Sequence, residues 1–397
     1  MKKIPVDKLR LGMYVQEICG SWMDHPFWKS SFKLDSLEDL HTLQTSVREV
    51  WIDTSKGLDV SEETQALGLE EAQAQTRQVL EVPPDGTDGT ILIPLHEEVV
   101  RARILQGRAK KAVVSMFNEV RMGQALRADI AYPIVEEIHQ SVSRNADALI
   151  SLVRLKNKDD YTYLHSVAVC ALMIALGKRL GLDGETLRHV GMAGLLHDVG
   201  KMLVPDAVLN KPGRLTDTEF ETVKSHPMLG HQVLLKAQGL NETTLEVCLH
   251  HHERMDGGGY PDGLAGENLS LYARMGAVCD VYDAITSERC YKKGWEPSLA
   301  IRKMAEWQRG HFDLRIFHAF VKTVGIYPVG TLVKLKSGRL GYVVEQGKKS
   351  LTAPIVKVFF SEQANAHILP ELVDLSDSRD VILSSHDPGH WGLSPLH

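Results

Sequence analysis

The stretch GMAGLLHDVGK, Gly191–Lys201, decides the fold of this chain. Its apolar residues recur at the spacing of an α-helix, and the pair His197-Asp198 follows at the helix end. Such a pair can bind one metal ion through the imidazole and share the carboxylate with a second. On its own the pair is weak evidence for a metal site, because buried polar groups more often simply hydrogen-bond one another. Gly200 is expected to let the chain turn after the pair.

The histidines are distributed unevenly around this stretch. Of the 18 in the chain, eight lie between positions 165 and 252, and Asp280 lies in a further apolar helical run. Two of the eight, His189 and His231, stand alone in helical text, where a histidine is more often a packed or surface residue. The other six are His165, His197, His226, His250, His251 and His252. On a helix, His250 would point about 100° away from its neighbour His251, so we predict a structural or surface role for it.

The other five histidines, with Asp198 and Asp280, offer more imidazole and carboxylate than one tetrahedral structural zinc would use. They predict two near-octahedral ions that share a carboxylate and keep open positions for substrate and water. Because the set contains no cysteine, iron, manganese, cobalt, nickel and zinc are all compatible with it. A purely structural explanation is unfavourable, since each of these polar groups would then need another partner.

Four ordered motifs carry six of these seven residues, all except His165. They are His197-Asp198-x-Gly200-Lys201, His226-Pro227-x-x-Gly230, His251-His252-Glu253-x-x-Asp256-Gly257-x-Gly259-Tyr260-Pro261 and Asp280-x-x-Asp283-Ala284-x-Thr286-x-x-Arg289. Over residues 150–325 they resemble the HD-GYP domain, a branch of the HD phosphohydrolases that hydrolyses cyclic di-GMP. The first 80 residues resemble the small domain that often precedes HD-GYP in bacterial proteins.

The resemblance implies a role for each matching residue. The implied metal ligands are His165, His197, Asp198, His226, His251, His252 and Asp280, with Asp198 bridging two ions. The implied catalytic residues are His197, Asp198 and Lys201, of which Lys201 matches the lysine that contacts the scissile phosphate. Tyr260, Arg289 and Lys292 fall where the family contacts phosphates or bases. Asp283 either orients a ligand histidine or stabilises its helix, and Glu253 either supports a ligand or is a helix-end charge.

One position departs from a pattern found in part of the family. Some members place a glutamate four residues before the first histidine, where it helps to hold a third metal. This chain has Tyr161 at that position, and a phenol is a poor ligand for the role. We therefore predict two divalent ions per chain, with iron or manganese favoured over cobalt, nickel or zinc.

The implied activity is metal-dependent hydrolysis of cyclic di-GMP to linear pGpG, or further to GMP. A hydroxide bridging the two ions would attack phosphorus in line with the departing ribose oxygen, and Lys201 would donate to the non-bridging oxygens. One alternative is a non-catalytic cyclic di-GMP receptor or adaptor for diguanylate cyclases (GGDEF proteins), against which the intact ligand set argues. A second alternative is an HD phosphohydrolase for a different nucleotide. Only the resemblance argues against it, through Tyr260, Arg289 and Lys292.

The composition bounds the class of protein. The 397 residues carry 45 basic and 51 acidic side chains, and the net charge of −6 argues against holding duplex nucleic acid by bulk positive charge. The sequence contains no run of about 18 uncharged apolar residues, so we do not predict a membrane-spanning helix. The N-terminus lacks a secretory signal pattern. Five scattered cysteines without a CxxC pair indicate free thiols, so we expect a cytoplasmic protein.

The predicted fold is mainly α, with small parts at both ends. We expect a small α/β domain at 1–80 that regulates the site or mediates homodimerisation, a linker at 81–95 and a helical catalytic domain at 96–328. Helices are expected at about 161–181, 185–198, 216–225, 227–238, 242–252, 271–286 and 296–309. Alternating runs predict a small, barrel-like β appendage at 329–383, followed by a loose tail at 384–397.

Overall fold

The structure of the chain is a computed structural model. It describes residues 2–6, 9–18, 32–34, 36, 40, 43, 49–57, 93–154, 161–211, 213–287, 294–307 and 310–386. Two compact units divide the chain: Met1–Gln78 with Pro205–Val223, and Val79–Val204 with Lys224–His397. The first unit thus takes in a segment from the middle of the predicted helical domain. Periodicity could not reveal this, because it indicates a helix and not the neighbours against which the helix packs.

The first unit contains a four-stranded antiparallel sheet. Its strands are β1 (Lys2–Pro5), β2 (Tyr14–Ile18), β3 (Phe32–Lys33) and β4 (Glu49–Ile52), in the order β1-β4-β2-β3. Apolar side chains of the strands and their connections form one buried core, which includes Met13, Val15, Leu34, Val50 and Ile52. The small N-terminal strands that the sequence predicts are therefore confirmed.

The helices confirm the predicted mainly α fold. In chain order they are α1 (Leu95–Arg121), α2 (Ala128–Arg154), α3 (Tyr161–Arg179), α4 (Gly184–Leu196), α5 (Asp206–Leu209), α6 (Asp217–Lys224), α7 (His226–Leu235), α8 (Glu242–His250), α9 (Leu271–Thr286), α10 (Pro297–Trp307) and α11 (Leu314–Val324). Short 3₁₀ helices lie at Val199–Leu203 and Gly266–Asn268. None of the helices in the described ranges reaches the combination of length and hydropathy that crossing a bilayer requires.

Helices α3 and α9 lie in the core of the second unit. Helix α3 is buried without interruption over residues 164–177, and α9 over residues 275–286. A helix that is buried on every side is expected to be apolar all round. The buried polar residues that these two helices carry, His165, Asp280 and Asp283, are therefore energetically costly unless they are partnered.

The C-terminal strands form a single antiparallel sheet. They are β5 (Leu332–Leu335), β6 (Arg339–Glu345), β7 (Ile355–Ser361), β8 (Ala366–Asp374) and β9 (Ile382–His386), in the order β8-β7-β6-β5-β9. Within residues 332–386 the sheet is open, with β8 and β9 at its edges, so the expected barrel-like closure is wrong. Strand β9 also crosses the predicted start of the loose tail at 384. Its polar sequence ILSSH gives little strand signal, and it becomes a strand by pairing with β5.

Candidate metal centre

The ends and interiors of five helices converge on Asp198. The residues brought together are His165 in α3, His197 and Asp198 after α4, His226 at the start of α7, His251 and His252 after α8, and Asp280 in α9. They are the seven ligands that the resemblance implies. Six of them are fully buried, and the side chain of His252 is 7% exposed. Helix ends suit such a centre because adjacent residues there can face the same point.

The first group of side chains faces one oxygen of Asp198. Nε2 of His165 lies 3.4 Å from Asp198 Oδ2 and 3.0 Å from Asp280 Oδ1. Nε2 of His197 lies 3.3 Å from the same Asp198 oxygen and 3.3 Å from Nε2 of His165. Potential ligand atoms of His165, His197 and Asp280 all lie within 4.8 Å of one another, as the ligands of a single ion must.

The second group faces the other oxygen of Asp198. Nε2 of His226 lies 3.2 Å from Asp198 Oδ1, and Nε2 of His251 lies 3.7 Å from it. The two Nε2 atoms are 3.3 Å apart. His252 completes the group, since potential ligand atoms of these three histidines lie within 4.8 Å of one another. Asp198 therefore stands between two sets of imidazoles with one carboxylate oxygen toward each.

Hydrogen bonds at the far ring nitrogens orient three of the histidines. Nδ1 of His197 donates to the carbonyl of Gly194 at 2.8 Å, and Nδ1 of His251 donates to the carbonyl of Cys248 at 3.0 Å. Carbonyl oxygens only accept, so both Nδ1 atoms carry the proton and Nε2 is the atom left to bind a cation. Nδ1 of His165 donates to Asp283 Oδ2 at 2.6 Å, which is the orienting contact that the sequence offered as one of two roles for Asp283.

The two carboxylates of the centre stay ionised although they are buried. Burial alone would raise the pKa of Asp198, but Lys201 and His197 outweigh it and hold that pKa well below its usual value. Burial also acts to raise the pKa of Asp280, and the hydrogen bonds from His165 and His197 lower it well below the usual value. Ionised carboxylates at this depth require positive charge beside them.

The imidazoles divide into two electrostatic classes. Burial and then the neighbouring imidazoles lower the pKa of His251 to about 3, and burial holds the pKa of His252 well below its ordinary value. Burial opposes the protonation of His197 too, but the carboxylates beside it raise its pKa to about 10. Without a metal ion, the imidazolium of His197 thus supplies positive charge that a bound cation would supply instead, and cation binding would release that proton.

The donor set fits a divalent metal ion. Oδ1 of Asp198 is buried and has no hydrogen-bond partner among the described residues, although its carboxylate is ionised. An uncompensated buried carboxylate oxygen is energetically unfavourable, and a cation between it and the Nε2 atoms of His226 and His251 would satisfy it. Imidazole and carboxylate without thiolate suit first-row divalent metals.

The predicted substrate-binding residues lie partly within the described chain. Nζ of Lys201 lies 2.5 Å from Asp198 Oδ2, and its side chain remains 21% exposed. The ring of Tyr260 stacks on His252, with 4.8 Å between centroids and 24° between the planes. Arg289 and Lys292 lie outside the described residues.

Comparison with known proteins places the chain among its relatives. Residues 139–316, which include all seven candidate ligands, match the HD domain family, and residues 1–131 match a domain of unknown function, DUF3391. A cyclic di-GMP phosphodiesterase of Pseudomonas aeruginosa is 57% identical over 400 residues, covering 100% of this chain and 94% of that relative. The sequence Gly259-Tyr260-Pro261 follows the HD residues in the expected order. This chain belongs to the HD-GYP family.

Two further relatives align with shorter parts of the chain. A cyclic di-GMP phosphodiesterase response regulator of Xanthomonas campestris is 36% identical, covering 58% of this chain and 60% of the relative. A 3'3'-cGAMP-specific phosphodiesterase of Vibrio cholerae is 34% identical, covering 42% of this chain and 38% of the relative. The relatives thus include proteins named as phosphodiesterases of two different cyclic dinucleotides.

The motif glycines of this HD-GYP chain let backbones approach one another closely. A Cβ at Gly200 would overlap the backbone of His226 and of Gly230, and Gly200 does not have a positive φ. Its role is therefore close packing, and the expectation that it lets the chain turn is corrected. A Cβ at Gly230 would lie 2.7 Å from Cys248 Sγ. Gly194, for which no sequence motif gives a signal, also permits a close approach, because a Cβ there would lie 2.9 Å from backbone atoms of α3.

Glu253 and His250 act next to the centre and not in it. The side chain of Glu253 is buried, and its Oε1 accepts from the backbone N–H groups of Asp262 at 2.7 Å and Gly263 at 2.9 Å. These hydrogen bonds close the loop that carries Tyr260, and they go to backbone instead of a ligand side chain. Nε2 of His250 lies 3.0 Å from Asp262 Oδ2, outside the two ligand groups.

Proposed function

We propose that this chain is a metal-dependent phosphodiesterase that hydrolyses cyclic di-GMP to linear pGpG. The observation that carries the proposal is the position of Asp198, whose two carboxylate oxygens face separate groups of histidines. This arrangement suits two cations that share one carboxylate, and paired cations are a recurrent means of cleaving phosphate esters. The names of the Pseudomonas and Xanthomonas relatives support the choice of substrate.

The residues of the chain would hold and orient the reacting groups. When bound, the ions would supply Lewis acidity that activates water and neutralises charge on the phosphate. The Nδ1 hydrogen bonds of His165, His197 and His251 keep their Nε2 atoms directed at the ions. The side chain of Lys201 is partly exposed, and its ammonium would donate to a non-bridging phosphate oxygen. Tyr260, with Arg289 and Lys292, would contact the remainder of the nucleotide.

The proposal includes two ions per chain, with iron or manganese favoured. Two groups of potential ligands flank Asp198, His165 with His197 and Asp280, and His226 with His251 and His252. A third group, His197, Asp198 and His251, joins these two through the carboxylate, as expected if two ions share it. Tyr161 begins α3 one turn before His165, where a third site would need a carboxylate. Metal analysis of protein purified without oxygen should therefore give about two ions per chain, and full occupancy by three would contradict the proposal.

A pair of adjacent histidines provides a matched control for that measurement. His251→Ala should lower the metal content, because His251 belongs to two of the groups of potential ligands around Asp198. His250→Ala should leave the metal content unchanged, because His250 pairs with Asp262 outside them. Equal metal content in the two variants would contradict the assignment of His251 as a ligand.

The proposal also covers the domains of the chain and its protein partners. The N-terminal domain at 1–80 would regulate the site or mediate homodimerisation, and the helical domain from 96 to 328 would carry the chemistry. Diguanylate cyclases (GGDEF proteins) would be protein partners. These assignments, and the division of the chain at 81–95, 329–383 and 384–397, stay predictions from the sequence.

Turnover by the purified chain tests the proposal. With Mn²⁺ or Fe²⁺ present, cyclic di-GMP should be converted to pGpG, or further to GMP, which chromatography separates. Assays with 3'3'-cGAMP and with other nucleotides in parallel distinguish this activity from an HD phosphohydrolase of different specificity. Tight binding of cyclic di-GMP without hydrolysis would identify a receptor and contradict the proposal.

A further inference from the structure

A second cation, Lys224, lies beside the candidate centre. Its Nζ lies 5.7 Å from the centroid of the Tyr260 ring, the same ring that stacks on His252. Lys224 is the last residue of α6 and stands two residues before His226. The side chain of Lys224 is half-buried, so neighbouring atoms restrict the rotamers that it can adopt. The three groups form a series from the centre outward: imidazole, phenol ring, ammonium.

Backbone contacts position the loop that carries Tyr260. The N–H of Tyr260 donates to the carbonyl of His252 at 3.3 Å. At the neighbouring Gly259, a Cβ would collide with the backbone of Glu253, so the loop lies directly against the residues that follow His252. Glu253 then closes the loop through its two backbone hydrogen bonds. Backbone contacts thus hold the loop, and the stacking on His252 holds the ring of Tyr260.

We infer that Lys224 contacts the second, non-reacting phosphate of cyclic di-GMP and so contributes to specificity for cyclic dinucleotides. The inference rests on the proposed function. A cyclic dinucleotide carries two phosphodiester anions on one ring of atoms, and Lys201 beside Asp198 is placed for the anion at the ions. In the inferred mode of binding, the other anion lies on the side of the centre where Tyr260 stacks on His252 and Nζ of Lys224 lies 5.7 Å from the Tyr260 ring. An ammonium there would form a charge-assisted hydrogen bond with it.

Substitution of Lys224 tests the inference through a ratio of two activities. The two substrates are cyclic di-GMP and bis(4-nitrophenyl) phosphate, a diester with a single phosphate. Lys224→Gln should lower the ratio of their kcat/KM values by about tenfold, mainly through the KM for cyclic di-GMP, because one ion pair is lost. The decline of kcat/KM for cyclic di-GMP with rising salt should also become shallower.

Two control variants separate charge from packing. Lys224→Arg should restore most of the ratio, since it keeps the positive charge. Lys236→Gln removes an exposed lysine at the end of α7 and should leave the ratio unchanged. Thermal unfolding of each variant shows whether the fold persists.

Three outcomes would overturn the inference. An equal loss of activity on both diesters in Lys224→Gln would mean that Lys224 acts by packing. A wild-type ratio in that variant would mean that no contact with the second phosphate matters. Cleavage of bis(4-nitrophenyl) phosphate but not of cyclic di-GMP by the wild-type protein would overturn the proposed function, and the inference with it, so the two failures are distinguishable.

Discussion

Replacing Asp198 by Asn is expected to abolish turnover while the protein remains folded. Asn has nearly the same shape, but it carries no charge and has a single oxygen, so it cannot present an anionic oxygen to both groups of histidines. The described contacts place His226 and His251 on one oxygen and His165 and His197 on the other. We expect kcat on cyclic di-GMP to fall at least about 10³-fold and the metal content to fall with it.

The control for this variant is Asp377→Asn. Asp377 is exposed and pairs with Lys349, so its substitution should change neither turnover nor metal content. The double variant His197→Ala/Asp198→Ala should reach the same inactive state. Circular dichroism and thermal unfolding establish that each protein is folded. Activity within tenfold of wild type in a folded Asp198→Asn protein would refute the role of Asp198 in both the binding of metal and the reaction.

The residues of the candidate centre could be predicted because few side chains can do this chemistry. Imidazole and carboxylate are the natural ligands of first-row divalent metals, and buried examples in apolar helices stand out. His165 and Asp280 each lie in a long buried helix, where a polar residue requires an explanation. The bounds of the helices that carry the centre followed from apolar periodicity, since each helix buries at least one apolar face.

Other features could not be predicted because they depend on contacts between distant segments. The two directions of the Asp198 carboxylate arise only when α3, α7 and α8 meet. The loop-closing role of Glu253 requires Asp262 and Gly263 to fold back onto it. Strand β9 exists through its pairing with β5, and the assignment of Pro205–Val223 to the first unit leaves no trace in local sequence. Sequence patterns report local preference, and these features are not local.

The role of Gly200 also depends on a contact with a distant segment, which the local sequence does not reveal. A glycine read alone suggests a turn, but Gly200 allows the 3₁₀ helix to pack against α7 with no side chain between them. A Cβ there would lie 2.9 Å from Cα of Gly230 and would overlap the carbonyl oxygen of His226. Both are backbone groups, which cannot move aside by a change of rotamer. The main chain that carries His226 would have to shift.

Gly200→Ala is therefore expected to lower the free energy of unfolding by about 1–3 kcal/mol or more. A displacement of His226 relative to Asp198 by about 1 Å would also lower kcat by about 10²-fold, because catalysis requires the reacting groups to keep a defined geometry. Denaturant unfolding and turnover measure the two effects.

Gly107→Ala is the matched control. Gly107 lies within α1, and a Cβ there would have no neighbour within 4 Å. That variant should be neutral or more stable by up to about 1 kcal/mol, because alanine favours a helix over glycine. If Gly200→Ala matched Gly107→Ala in both measurements, the close approach between the 3₁₀ helix and α7 would not be what holds His226 in place.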